Sequence, residues 1–139
     1  MANEPLAVLL RLRLLTIDQA RQALADCLEV EATASARCNA IEAAIAHEMH
    51  AASELTSDDN AVEDFAAWLH RILPDQAAAD AALLSAETRT KETRLVLAAA
   101  RAGARSVEAT LERKAAERML QVGRREQLAL DEAARRPAE

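Results

Sequence analysis

DQAAADAALLSAETRTKETRLVLAAARAGARSVEATLERKAAERMLQVGRREQLALDEAAR, residues 75–135, decides how this chain folds. The stretch holds no proline and no aromatic residue, and alanine, arginine, glutamate and leucine dominate it, which is the composition of long helices and coiled coils. About sixty residues at ~1.5 Å each would run roughly 90 Å, far beyond a helix inside a small globular domain. Such a helix needs a partner. A stripe at three-four spacing passes through Leu95, Ala99, Ala102, Ser106, Ala109, Arg113, Ala116, Leu120, Gly123, Gln127, Leu130 and Ala134. Its side chains are mostly small, so the partner must approach closely and supply the bulk. Gly123 lies on this stripe, where a close backbone approach would justify it; Gly103 lies beside it, without a reason in the sequence.

Working back toward the N-terminus, Pro74 interrupts the pattern, and Asp75 can cap the helix beyond it. The preceding segment, Asn60 to Leu73, contains both aromatics of the chain. Phe65, Trp68, Leu69, Ile72 and Leu73 fall at helical spacings and make the greasiest face in the sequence. This face is either a small knot that closes a hairpin or a partner-binding patch, because a two-helix coiled coil has little core in which to hide a Trp and a Phe. Thr56, Ser57, Asp58, Asp59 and Asn60 form a polar cluster that ends one helix and offers caps for the next.

From Pro5, which suits a first helical turn, the pattern runs without a breaker to about Leu55. Leu10, Ile17, Leu24, Cys38, Ile45 and Ala52 form one heptad row, and Leu6, Ala20, Cys27, Ala34, Ile41 and Leu55 the other. Arg13, Glu31 and Glu48 occupy positions in the same rows. Polar residues in a seam set register and oligomer state at a cost in stability, and they can also grip another protein. The expected architecture is therefore all-α: one long antiparallel two-helix coiled-coil hairpin over 1–139. It has a helix at about 5–55, a short hydrophobic helix at about 58–73 near the turn, and a long helix at about 75–135.

Charge supports folding back. Residues 1–65 carry four arginines against twelve acids, whereas residues 101–139 carry nine bases against seven acids, so the halves attract. No basic patch is interleaved with aromatics, which argues against a nucleic-acid partner. No stretch approaches a membrane span, and MANEPLAVLLRLRLL has an early acid and internal arginines unlike a signal peptide, so a cytoplasmic location is expected. Cys27 and Cys38 are too far apart on one helix for a disulfide and read as small core residues.

Sites for chemistry are few. His47-Glu48-Met49-His50 places its histidines three apart rather than the four a zincin helix requires, and only Glu54 could add a ligand. There is no phosphate loop, no CxxC pair and no nucleophile-His-acid set, and carboxylates on a solvated helix cannot be tuned for proton transfer. No catalysis, cofactor, metal or small-molecule substrate is expected.

The chain resembles the FliJ family of the flagellar type III export apparatus, with injectisome counterparts as more distant relatives. The resemblance rests on length and layout, on Phe65-Ala66-Ala67-Trp68-Leu69-His70-Arg71-Ile72-Leu73, and on the closing Arg124-Arg125-Glu126-Gln127 followed by Leu130-Asp131-Glu132-Ala133-Ala134-Arg135-Arg136. It implies an antiparallel coiled coil, shaped like the γ stalk of rotary ATPases, that sits in the central hole of the export ATPase hexamer. Such a stalk contacts the cytoplasmic part of the membrane export gate, escorts export chaperones and lies at the inner face of the inner membrane. Carried over, the gate contact falls on Phe65, Leu69, Ile72 and Gln76, and exposure adds Trp68. Arg124, Arg125, Arg135 and Arg136 would meet acidic groups lining the ring. Gln76 stands where some members have His, and Pro74 departs from the pattern, which bears on the continuity of the second helix. Two other functions fit the same residues: a scaffold dimerising in parallel through residues 6–55, and a small metal site at His47, His50 and Glu54.

Overall fold

The computed structural model describes residues 4–54 and 58–138. It consists of two helices, α1 (Glu4–Ser53) and α2 (Asp59–Arg135), packed against each other as a hairpin. Leu55, Thr56 and Ser57, expected as the last seam residue and as caps, lie outside the described residues. Asp58 is a cap: its carboxylate accepts the Ala61 amide at 3.0 Å, and its carbonyl accepts the same amide at 3.1 Å. At the other end α2 stops at Arg135, one residue before Arg136-Pro137.

The α1 seam matches its heptad rows. Ile17, Ala20 and Cys38 are buried, and Leu6, Leu10, Leu24, Cys27, Glu31, Ala34, Ile41, Ile45 and Ala52 are half-buried. Arg13 and Glu48 are the two described row positions that remain exposed. On α2 the covered row is Phe65, Leu69, Ile72, Gln76, Ala79, Leu83, Ala86, Thr90, Thr93, Leu97, Ala100, Ala104, Val107 and Leu111. Every step in that row is four or three residues, which is the coiled-coil seam. It corrects the stripe drawn through Leu95. Leu97 is 6% exposed and Leu95 71% exposed, so the true row lies two residues on, roughly 200° around the helix.

The row also explains why no separate short helix exists over 58–73. Phe65, Leu69, Ile72, Gln76, Ala79 and Leu83 keep their spacing through Pro74, which faces solvent. The missing hydrogen bond and the ring clash of an interior proline cost ~3 kcal/mol, and burial on both sides of it holds the segments in one helix. The separate short helix and the second start at residue 75 are therefore both replaced by a single α2.

By packing, the chain divides into two compact units. One comprises residues 1–18 and 98–139, the other 19–97, so each contains a piece of both helices. The first carries eleven bases and nine acids; the second carries six bases and fourteen acids. Among the described residues no helix is long and apolar enough to cross a membrane.

Candidate interaction surfaces

Within the 19–97 unit, large and small side chains are interleaved on both helices. Leu24, Ile41 and Ile45 on α1 face a row in which Ala79, Ala86, Thr90 and Thr93 are interspersed with Leu69, Ile72, Leu83 and Leu97, and α1 supplies its own small residues at Ala20, Cys27, Ala34 and Cys38. Both helices contribute bulk, so the expectation that the N-terminal helix alone supplies it does not hold for the true row. Small residues on both sides let the helices approach closely, and the polar ones are nearly all satisfied. Thr90, 2% exposed, donates its hydroxyl to the Ala86 carbonyl at 3.0 Å. Thr93 donates likewise to Arg89 at 2.8 Å, which leaves its oxygen to accept the Cys27 thiol at 3.4 Å. Glu31 differs. Its Oε2 is buried in the seam without a hydrogen-bond partner, a group that costs stability and that a simple apolar zipper would not contain.

Cys38 is also in this seam. Burial raises its thiol pKa above the ordinary 9.0, and a hydrogen bond to Asp80 together with the Asp80 and Glu42 charges pushes the same way, against a smaller pull from Arg37.

Phe65, Leu69, Ile72 and Gln76 are consecutive members of the covered α2 row, and all four are half-buried. Trp68 lies beside the row, half-buried, with its ring 6.1 Å from that of Phe65 at an interplanar angle of 29°. An open groove between Glu48, Ala51 and Ala52 of α1 and Phe65, Trp68 and Arg71 of α2 keeps one side of the pair accessible. The greasiest segment thus closes the hairpin seam with one side of its residues and presents the other to a groove. The sequence signal that placed it in the seam was the four-three row continuing through Gln76.

In the other unit, α1 and α2 face each other from the start of α1 to Leu111. Arg13 lays its side chain across Gly103, whose missing Cβ would meet Arg13 Nη1 at 3.5 Å and Cδ at 3.7 Å. That neighbour was invisible while Gly103 was judged against the wrong stripe. Beyond Leu111 every described residue is exposed, including Arg124, Arg125, Arg135 and Arg136. Gly123, expected at a close helix contact, has nothing within 4 Å of the Cβ it lacks. The aromatic segment and the four arginines fall in different units.

His50 Nε2 lies 3.7 Å from Glu54 Oε1, both side chains well exposed, and His47 is exposed. Among the described residues no group of three or more His, Cys, Asp or Glu side chains is placed to hold a metal ion. No protein-family model, curated protein or solved structure matches the chain.

Proposed function

We propose that this chain is a non-enzymatic stalk of the FliJ type, which joins an export ATPase hexamer to the membrane export gate and escorts export chaperones. The observation that carries the reading is the bare end of α2. After Leu111 some two dozen helical residues continue without cover from α1, and a helix kept that long in solvent has use for an external partner. The hairpin is the fold the resemblance implies, and the four arginines are accessible on the bare end, where an acid-lined ring could meet them.

The test is stimulation of the export ATPase encoded in the same genome. Stimulation should fall as salt rises and should be lost when residues 124–139 are removed; full stimulation by the shortened chain would overturn the ring contact. The gate contact has its own test. Trp68→Ala should weaken binding to the cytoplasmic part of the gate with little change in melting. Phe65→Ala with Leu69→Ala removes seam residues and should lower stability as well, by about 2 kcal/mol or more.

A scaffold role is the second reading. The heptad seam of residues 6–52 is, apart from Arg13 and Glu48, covered by α2 and is not free for a parallel dimer, but Val8, Leu12 and Leu15 form an exposed apolar line on the opposite face of α1. Sedimentation of the intact chain separates the two: a dimer lost in Leu12→Glu favours the scaffold.

A further inference from the structure

The bare end of α2 carries a second amphipathic pattern, unrelated to the hairpin seam. Continued past Leu111, the seam row reads Lys114, Arg118, Gln121 and Arg125, four polar residues before it reaches Leu128. The apolar side chains have moved to another face. Val122, Ala115, Met119, Gly123, Ala116 and Leu120 fill an arc of roughly 160° at 100° per residue. Met119 is 76% exposed, Leu120 64% and Val122 52%.

The borders of this arc are basic. Arg118, Arg125 and Lys114 run along one edge and Arg113 and Arg124 along the other; Glu117 is the one acid between residues 113 and 125, and Glu112 and Glu126 close the arc at its two ends. Five cations against one acid beside an apolar face call for an occupant that is apolar in the middle and acidic at both margins.

We infer that residues 113–125 dock an acidic amphipathic helix of another protein. Two features of the face favour a helix over a lipid surface. Ala115, Arg118, Met119, Val122, Gly123 and Glu126 frame one open hollow, in which Ala115, Arg118, Met119 and Val122 have the three-four spacing of a hole that receives the knob of a facing helix. Ala115, Ala116, Met119 and Leu120 frame a second hollow beside it. The face also has no aromatic residue, whereas helices that lie in the headgroup region commonly insert Trp or Phe. Gly123 sits in the same arc. Glycine costs a helix ~1 kcal/mol relative to alanine, and nothing inside the chain needs the space it leaves. A closely approaching partner helix would use that space. The inference does not depend on the export-stalk reading, since its test needs no ATPase.

Full-length chain is titrated into a fluorescent synthetic helix of about three heptads with leucine at a and d and glutamate at e and g, and into its twin with lysine at e and g. The acidic helix should bind and the basic twin should not, and binding should weaken as salt rises. Met119→Glu with Leu120→Glu should weaken it at least about tenfold while circular dichroism stays unchanged, because both side chains are exposed in the free chain. Gly123→Trp separates the sources: it should weaken binding of the helix by filling the close approach, whereas an added tryptophan would strengthen attachment to phosphatidylglycerol vesicles. Equal binding of the two helices, no effect of the glutamate pair, or vesicle binding that rises in Gly123→Trp would each overturn the proposal. Self-association of the chain that disappears in the glutamate pair would do the same by naming a second copy as the occupant.

Discussion

Two stretches of the same helix carry similar residues and meet opposite fates. Between Asp59 and Leu97, α2 has Leu69, Leu83 and Leu97 on its four-three row and is covered there; between Glu112 and Arg135 it has Leu120, Leu128 and Leu130, all well exposed. Leucine content is not what separates them. The first set repeats on one face, opposite the bulky rows of α1, while the second is spaced by eight and two, and Leu128 alone of the three falls on the continued seam row, after four polar positions. A helix is held in a hairpin by the phase of its apolar residues and by the reach of its partner. With Arg13 against Gly103, Leu111 stands near the first turn of α1, which begins at Glu4, and even the on-row Leu128 beyond it is bare.

The largest test of this contrast lies within a single turn. Leu97→Ala should destabilise the hairpin by about 2–5 kcal/mol, as large-to-small changes at buried positions do, and Leu95→Ala should stay within about 0.5 kcal/mol. Urea midpoints of the two variants decide it. Equal losses would mean that the seam is not where the four-three row puts it.

Much of this was legible in the sequence, unevenly. The two α1 rows could be read because Leu10, Ile17, Leu24, Ile41 and Ile45 are bulky and strictly spaced. The α2 row was misplaced by two residues because alanines surround the helix there. The stripe through Leu95 also drew support from Leu120, Gly123 and Leu130, which lie past the end of the seam and carry no information about it. Pro74 misled for a different reason: a proline rule that holds for isolated helices yields to burial on both sides. The aromatic segment was legible as apolar but not as seam, since its spacing matters only once the row beyond Gln76 is in phase. Nothing in the sequence distinguished Glu31 from Arg13 and Glu48, three charges in the same rows; packing buries an oxygen of the first and leaves the other two residues exposed.

Glu31 supplies the next largest effect. Its buried, unpartnered oxygen is costly, so Glu31→Leu should stabilise the chain by about 1–3 kcal/mol. If the carboxylate keeps the helices in register, the same variant should also populate alternative pairings, visible as mixed crosslinks between single cysteines placed on α1 and α2. Unchanged or lowered stability would show that the oxygen finds a partner in solution.

The two glycines sharpen the comparison at smaller amplitude. Neither has a positive φ, and an alanine Cβ at Gly103 would sit at ordinary contact distance from Arg13. Gly103→Ala should therefore raise global stability by up to ~1 kcal/mol. Gly123→Ala should strengthen the bare helix by a similar local amount, read as slower amide exchange around residue 123, with the main melting transition unmoved. A shift of that transition in Gly123→Ala would mean the bare end is coupled to the hairpin after all.

The smallest effect concerns Cys38 and is one of direction. Its folded-state pKa is raised, chiefly by burial and then by Asp80, so the folded chain holds the thiol proton more tightly than the unfolded chain does. Below the ordinary value of 9.0 both states are protonated and the contribution is complete. As pH rises from there toward the folded value, the unfolded state loses its proton first, binds fewer protons than the folded state, and gains stability relative to it. Unfolding free energy should thus decline with pH above about 9, and Cys38→Ala should remove that part of the slope whatever it costs in packing. The same burial should make Cys38 slow to alkylate in the folded chain, and Asp80→Asn should quicken it by removing the charge that helps hold the proton. A Cys38→Ala variant with the full alkaline slope would assign the decline to other groups and leave Cys38 as a packing residue alone.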